Sequence, residues 1–282
     1  MLLKRKTSAE TLKLQEKYGV PYLVFPSLEN TGLVRHAFST RLGGCSTGDL
    51  ATMNLSSTRG DDPENVKENF QRFGAAVGFD PKDLVLSLQT HTTNVRLVTE
   101  EDRGKGFTRP RDYKDVDGLI TNVPGLVLAT FYADCVPLYF VDPVHRAIGL
   151  SHSGWRGTVN RMGEVTLQRM KEAFGTRPSD VWTAIGPSIC QDCYEVSEDV
   201  AQEFMSAFEG WADNRLLYRK ENGKYQLNLW RANELVLLES GVPKDRIAVT
   251  DICTCCNPQV LFSHRASKGK RGNLGAFLQL LS

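Results

Sequence analysis

The run LVLATFYADC (126–135) decides the fold that this sequence predicts, and two shorter runs, VLSLQTH (85–91) and AIGLSH (147–152), repeat its pattern. Each run is apolar and of strand length, which predicts a strand buried in a sheet. Each also ends in a side chain that can bind a metal or carry out chemistry, and ligands often collect at strand ends in α/β sheets. The residues at these three ends are His91, Cys135 and His152.

Two imidazoles and a thiol form a three-ligand set for zinc, which leaves the fourth tetrahedral position for water or substrate. The sequence therefore predicts a catalytic metal site at His91, Cys135 and His152. Asp134 lies beside the thiol, where a carboxylate could accept a hydrogen bond from a ligating imidazole. The turn HSGWRG (152–157) contains two glycines, which suit the close approach of a ligand.

The same three residues fit two other hypotheses. In the first, Cys135 is a thiolate nucleophile activated by His152 or His91, as in an amidase or deamidase that uses no metal. In the second, the chain is a metal-stabilised binding or scaffold protein without turnover, and the metal contributes to folding. The residues alone leave both hypotheses open beside a zinc enzyme.

The chain has 7 cysteines, and those outside the strand ends form two groups. Cys190 and Cys193 make one group, and Cys253, Cys255 and Cys256 make the other. The spacing within each group permits a structural zinc site with four cysteine ligands. Free thiols in the core or around a pocket are the other interpretation.

The remaining pattern predicts a mixture of helices and strands without regular alternation. Helices are predicted over 10–18, 61–77, 158–174, 197–208 and 227–238, and strands over 22–25, 34–38, 116–120, 181–185 and 247–250. The second helix begins with acids and Pro63 and ends at Gly78. This order favours an α+β fold with mixed sheets. We expect a single domain over residues 1–282, with residues 1–20 as an N-terminal extension.

Composition narrows the class of protein. Hydrophobic residues at 41% and charged residues at 24% are typical of an ordinary globular chain. A formal net charge of +1 gives no reason to expect nucleic acid as a partner. No apolar run approaches the roughly 18 residues that span a bilayer, so no membrane association is expected. The thiols favour a reducing compartment, and we expect a cytoplasmic monomer or homodimer.

Two basic segments are candidates for anion binding. FSTRLGG (38–44) places Ser39 and Arg41 before a glycine turn, and backbone amides with a guanidinium can hold phosphate or carboxylate. Arg265 precedes a second basic stretch, KGKRG (268–272). An ordinary turn and a mobile charged loop explain these segments equally well. Neither resembles a Walker loop, because no GKS or GKT follows a GxxxxG pattern.

Taken in order, the motifs resemble one family. They are FSTRLGG (38–44), NLS (54–56), QTH (89–91), VDGLIT (116–121), ADCVP (133–137), HSGWRG (152–157), IGPSICQDCYEV (185–196) and a segment from CT to LFSHR (253–265). They span nearly the whole chain, and ADCVP with HSGWRG is highly specific. The sequence is similar to the YfiH/YlmD family, the laccase-domain or "multicopper polyphenol oxidase" group.

The resemblance implies a layered α/β/β/α fold and a zinc centre whose ligands correspond to His91, Cys135 and His152. It implies phosphorolysis of adenosine, inosine, guanosine and methylthioadenosine, which is a glycosyl transfer to phosphate. Adenosine deamination, a hydrolysis, is implied as a side activity. Purine nucleosides and phosphate are then the expected partners. A role in editing cell-wall precursors is also associated with relatives, and it corresponds to the Cys/His amidase hypothesis for peptidoglycan precursors.

The histidine count argues against the older oxidase name. A multicopper oxidase needs about ten histidines, many in His-x-His pairs, to hold its coppers. This chain has 5 histidines and no His-x-His pair. Copper could still occupy the same N/S site adventitiously, because Cu²⁺ outcompetes Zn²⁺ at most such sites.

Overall fold

Two six-stranded mixed sheets form the centre of the molecule, and the computed structural model describes residues 3–210 and 215–282. The strands are β1 (Lys13–Lys17), β2 (Val20–Val24), β3 (Val34–Ser39), β4 (Leu84–Leu86), β5 (Val95–Leu97), β6 (Gly118–Thr121), β7 (Val127–Tyr132), β8 (Val136–Asp142), β9 (Ala147–Ser153), β10 (Trp182–Ile185), β11 (Glu195–Val196), β12 (Leu217–Arg219), β13 (Tyr225–Leu227), β14 (Ile247–Val249) and β15 (Leu274–Leu280). The helices are α1 (Pro26–Glu29), α2 (Pro63–Val77), α3 (Trp155–Val159), α4 (Met162–Phe174), α5 (Glu198–Ala207), α6 (Leu229–Glu239) and α7 (His264–Ser267).

The two large sheets pack against each other and against helices. The first sheet has the order β1-β2-β3-β15-β7-β4, and the second has the order β14-β10-β8-β9-β6-β5. A core that includes Phe38, Tyr132 and Tyr139 fills the space between them. Helix α2 packs on the first sheet, where Phe73 and Phe277 have ring centroids 4.8 Å apart. Helices α4, α5 and α6 share a third core with the second sheet, which gives four layers, α/β/β/α.

This arrangement confirms the predicted α+β class with mixed sheets in one domain. Of the runs 85–91 and 126–135, only the parts in β4 and β7 are strand, so His91 and Cys135 follow their strands by five and three residues. The other predicted strands and helices also occur, with ends shifted by one or two residues, apart from the differences described below. Helix α2 begins as expected, because the Asp62 carboxylate accepts a hydrogen bond from the backbone N–H of Glu64 at 2.9 Å. It ends at Gly78, whose φ of 97° lies in the left-handed region that favours glycine. No helix in the described ranges is both long and apolar enough to cross a membrane.

The helix predicted over residues 10–18 is wrong, because this segment contains strand β1. It pairs with β2 in an antiparallel hairpin in which Gln15 lies opposite Tyr22. Tyr18 and Gly19 form the two-residue turn with φ values of 53° and 74°. Two consecutive positive φ angles match the twist of a tight hairpin and end any helix. Part of the expected N-terminal extension, 1–20, therefore belongs to the first sheet; residues 1–2 lie outside the described chain.

The helix predicted over residues 158–174 is two helices, α3 and α4. Arg161 separates them with a φ of 58°, which no α-helix accommodates. Strands β8 and β15 were not predicted, although both are buried along their whole length. Central strands buried on both faces lack the polar and apolar alternation that identifies a surface strand.

The site depends on how β7, β8 and β4 follow one another. Strand β7 belongs to the first sheet and β8 to the second, so the turn between them lies where the sheets meet. Strand β4 runs parallel to β7, so the segments that follow the two strands leave the sheet at the same edge. Strand β9 runs antiparallel to β8, with His152 opposite Pro137. The three predicted strand ends therefore converge.

Candidate active site and metal centre

The structure brings His91, Cys135 and His152 together. One ligand atom from each lies within 4.8 Å of the others. The two imidazole rings have centroids 5.0 Å apart and are nearly perpendicular, at 83°. His152 is buried, Cys135 is half-buried and His91 is exposed, so one side of the cluster faces open space. This is the arrangement expected of a metal site with an accessible position.

Local backbone geometry aims the ligands. His91 has a φ of 65° and Asp134, just before the thiol, has a φ of 85°; both values are uncommon for residues other than glycine. Such conformations concentrate at functional sites. Gly154 leaves room for the cluster, because a Cβ atom at this position would lie 3.1 Å from His91 Cδ2 and 3.3 Å from Cys135 Sγ. Glycine at position 154 therefore avoids a tight contact with the side chains of His91 and Cys135.

Asp117 organises the cluster from behind. Its fully buried carboxylate accepts from the backbone N–H groups of Thr90 at 2.9 Å, His91 at 3.1 Å and Thr92 at 3.1 Å. Asp117 Oδ1 also lies 2.8 Å from His152 Nδ1. With Nδ1 held in this way, Nε2 is the ring atom of His152 left to bind a metal. One carboxylate therefore fixes the positions of both histidines.

Asp134 was expected to accept a hydrogen bond from a metal-binding imidazole, but in the structure it has other partners. Its carboxylate accepts from Thr254 Oγ1 at 2.6 Å and from the backbone N–H of Arg265 at 2.7 Å. These two hydrogen bonds tie the side chain to the C-terminal segment. Asp117 takes the role instead. Sequence reasoning missed Asp117 because its partners lie 25 to 35 residues away.

The thiol and the buried imidazole are electrostatically coupled. Burial acts to raise the pKa of Cys135, but His152 and hydrogen bonds from both imidazoles lower it to about 6. Burial acts to lower the pKa of His152, but Cys135 and Asp117 raise it to about 9. At neutral pH, Cys135 is therefore a thiolate, which is the form that binds metals and acts as a nucleophile.

The donor set fits zinc. Zinc binds thiolate sulfur at about 2.3 Å and imidazole nitrogen at about 2.0–2.1 Å, so tetrahedral ligand atoms lie roughly 3.3–3.8 Å apart. The three ligand atoms lie within 4.8 Å of one another, so small side-chain rotations would close the site. His152 must lose its proton to bind a metal, because its pKa is raised to about 9. A thiolate with two imidazoles is then a soft to intermediate set, which suits zinc or copper.

The cluster forms part of the wall of a cavity of about 680 Å³. Besides the two histidines, four aromatic side chains line the cavity: Phe70, Phe107, Phe131 and Tyr132. Three cationic side chains line it as well, Arg111, Arg271 and Lys67, and Lys67 Nζ lies 3.5 Å from the Glu64 carboxylate. A second cavity of about 320 Å³ lies on the other side of His91 and Cys135, and is lined by Trp155, Arg156 and Tyr194 among others. His91 and Cys135 thus lie between a larger cavity with aromatic and cationic walls and a smaller pocket.

Arg271 is one of the cations that could meet an anion in the large cavity. It lines the large cavity, and its buried Nε has no hydrogen-bond partner among the described residues, while its Nη1 donates to the carbonyl oxygen of Gly272 and to Asn273 Oδ1. Burial lowers its pKa to about 10, so it remains charged at neutral pH. The basic run 268–272 indicated an anion-binding segment, but nothing in it distinguished Arg271 from its neighbours. Arg111 was missed because it lies in an irregular loop.

The described residues that line either cavity do not include Ser39, Arg41 or Arg265. Ser39 Oγ is buried and accepts from the backbone N–H of Gly275 at 2.8 Å. Arg41 donates to the carbonyl oxygens of Ala51 and Pro258 and stacks on Phe262. Arg265 donates from its guanidinium to the carbonyl oxygen of Glu195 at 2.9 Å. Each of these polar groups already has a partner within the fold.

Comparisons with known proteins agree with this geometry. Residues 35–281 match the family described as multi-copper polyphenol oxidoreductase laccase. The chain is 35% identical over 256 residues to purine nucleoside phosphorylase YlmD of Bacillus subtilis (strain 168), covering 89% of this chain and 90% of that protein. It is 33% identical over 231 residues to adenosine deaminase RL5 from an unknown prokaryotic organism, covering 81% and 87%.

A solved structure extends the similarity to the fold. The crystal structure of YlmD from Geobacillus stearothermophilus superposes with a TM-score of 0.87 at 33% identity, covering 95% of this chain and 99% of that one. The sequence match, the shared fold and the site motifs lead to the same conclusion. The chain belongs to the YfiH/YlmD laccase-domain family.

Proposed function

We propose that this chain is a zinc-dependent purine nucleoside phosphorylase acting on adenosine, inosine, guanosine and methylthioadenosine, with adenosine deamination as a side activity. The observation that carries the proposal is the cluster of His91, Cys135 and His152 in the wall of an aromatic and cationic cavity. Relatives named as a purine nucleoside phosphorylase and an adenosine deaminase support it. The thiolate ligand needs a reducing compartment, so we place the activity in the cytoplasm.

The residues suggest how the substrates are held. Phe70, Phe107 and Phe131 offer apolar faces on which a purine could stack. Arg271 and Arg111 supply charge for phosphate, and guanidinium groups match phosphate oxygens in geometry. In phosphorolysis the glycosidic C1′–N9 bond breaks, a phosphate oxygen bonds to C1′, and the purine leaves with a proton. A zinc ion held by the cluster would supply Lewis-acid polarisation, and for deamination an activated water.

The direct test is incubation with adenosine, with and without phosphate, followed by product analysis. Adenine and ribose 1-phosphate that form only with phosphate would support phosphorolysis. Inosine formed without phosphate would show that deamination dominates. An unchanged nucleoside in both reactions would contradict the proposal.

Arg271→Gln should raise the KM for phosphate by about 10- to 100-fold, because one charge-assisted hydrogen bond contributes about 1.5–3 kcal/mol. The KM for the nucleoside should change much less. The measurement is initial rate against phosphate concentration at saturating inosine. Arg41→Gln is the matched control, because Arg41 bonds to carbonyl oxygens of the fold. A larger rise of the phosphate KM in Arg41→Gln than in Arg271→Gln would show that phosphate binds at the 38–44 turn instead.

A metal-free Cys/His amidase is a second candidate, favoured by the Cys135–His152 pair. In protein stripped by chelator, iodoacetamide should alkylate Cys135 at a rate that rises through about pH 6, because the pKa of this thiol is lowered to about 6. The alkylation rate of an ordinary thiol would rise only at about pH 8.5. Peptide mass spectrometry identifies the modified residue. Added zinc should suppress the alkylation, because the thiolate would then bind the metal. Full amidase activity in the metal-free protein, lost when Cys135 is alkylated, would favour the amidase.

A further inference from the structure

A second group of cysteines lies outside the active site. The sulfurs of Cys190, Cys193, Cys253 and Cys256 all lie within 4.8 Å of one another. They come from two C-x-x-C segments, CQDC (190–193) and CTCC (253–256), which are 59 residues apart in sequence. The fold therefore assembles a four-thiol cluster from two segments that resemble the paired knuckles of structural zinc sites.

The backbone holds the two segments in register. Ser188 and Cys253 form a parallel bridge immediately before the cluster. The backbone N–H of Cys190 donates to Cys253 Sγ at 3.2 Å, and Cys193 Sγ lies 3.5 Å from Cys256 Sγ. Backbone N–H donation to sulfur is a hydrogen bond that a thiolate accepts better than a neutral thiol. Backbone contacts as well as side-chain contacts therefore hold the four thiols together.

The dimensions fit a tetrahedral zinc ion. A Zn–S distance of about 2.3 Å gives sulfur-to-sulfur separations of roughly 3.8 Å. The 3.5 Å pair and the 4.8 Å limit bracket this value. All four cysteines are free thiols, and none is fully exposed. Four thiolates around Zn²⁺ carry a net charge of −2. Lys6, from the N-terminal segment, brings a positive charge to the CQDC segment, where it pairs with Asp192 at 2.9 Å.

We propose that Cys190, Cys193, Cys253 and Cys256 bind a structural zinc ion separate from the active-site metal. The four sulfurs complete the coordination, so this site has no open position for substrate. The proposal goes beyond the proposed function and does not depend on it. Its ligands and those of the active site are different residues, so the two can be tested separately.

The second site would also support the first. Thr254, inside the CTCC segment, donates to the Asp134 carboxylate at 2.6 Å, and Asp134 directly precedes Cys135. Asn257, next to the same segment, donates to the carbonyl oxygen of Lys4 at 3.0 Å. A zinc ion that fixes residues 253–256 would therefore hold the turn bearing Cys135 and the N-terminal segment together.

The test is metal content in protein expressed with zinc and purified without chelator. The wild-type chain should hold two zinc ions and Cys135→Ala one. The double variant Cys193→Ser/Cys256→Ser should also hold one, while Cys255→Ser, a neighbouring thiol outside the four, should hold two. A wild-type stoichiometry of one that falls to zero in Cys135→Ala would overturn the proposal. So would a Cys193–Cys256 disulfide found by mass spectrometry in freshly purified protein.

A second measurement covers the case in which the double variant does not fold. Cys135→Ala leaves the four thiols intact, and its remaining metal can be exchanged for cobalt. Tetrahedral cobalt bound by four sulfurs should give intense sulfur-to-cobalt charge transfer and visible bands typical of all-thiolate coordination. A cobalt spectrum without thiolate charge transfer would contradict the assignment.

Discussion

Cys135→Ala should remove the active-site zinc and lower kcat/KM for nucleoside phosphorolysis by about 10³-fold or more. Lewis-acid stabilisation by a bound metal contributes several kcal/mol to a transition state, and about 4 kcal/mol corresponds to this factor. With the thiolate gone, only His91 and His152 remain as ligands in the cluster. The measurements are the zinc content and steady-state kinetics with inosine.

The variant should remain folded, which separates an open catalytic site from a scaffold whose metal supports folding. Cys135 is only half-buried at a cavity wall, and alanine can occupy its position without overpacking. Circular dichroism should therefore show the wild-type spectrum at ambient temperature. Cys45→Ala is the control, because that thiol contacts Asn65 and Asn69 and is outside the cluster.

Two results would contradict this expectation. An unfolded Cys135→Ala protein would favour the scaffold hypothesis, in which metal binding supplies folding energy. A zinc-free Cys135→Ala protein with undiminished phosphorolysis would show that the metal is not part of the reaction.

The convergence of His91, Cys135 and His152 could be predicted from the sequence because each residue follows an apolar run. His91, Cys135 and His152 follow segments whose burial is evident from composition, and buried strands bring their ends together. Asp117 could not be found in this way. Its role depends on five hydrogen bonds made across the junction of two sheets, and no local pattern encodes them.

The lining of the large cavity was the least predictable part of the candidate site. Arg111 and Arg271 lie in irregular loops, where hydrophobic periodicity gives no information about direction. Ser39 and Arg41 belong to a conspicuous motif, yet Ser39 bonds to the backbone of Gly275, 236 residues later. A motif of polar residues beside a glycine turn can therefore stabilise the packing of β3 against β15 as readily as it can bind a ligand.

The helix over 10–18 was wrongly predicted for a similar reason. The hairpin there depends on two positive φ angles at Tyr18 and Gly19.

Asp117→Asn should weaken zinc binding by about 10- to 100-fold, which is the usual effect of removing a carboxylate behind a metal-binding histidine. Asp117 Oδ1 faces His152 Nδ1 and the backbone N–H of His91, and Oδ2 faces two further N–H groups. An amide has one accepting oxygen, so its NH₂ group must point at N–H donors on one side. Each buried donor left without a partner also costs about 1–3 kcal/mol of stability.

The chain contains a matched control for the loss of stability. Asp142 is also fully buried and lies 2.8 Å from a histidine Nδ1, that of His145, but at the far end of β8 from the cluster. Asp142→Asn should therefore lower the melting temperature without changing zinc affinity, whereas Asp117→Asn should lower both. Competition with a chromophoric chelator measures the affinity and thermal unfolding measures the stability. Equal zinc affinities in the two variants would mean that Asp117 supports the fold without orienting His152, and the metal centre would then depend on its three ligands alone.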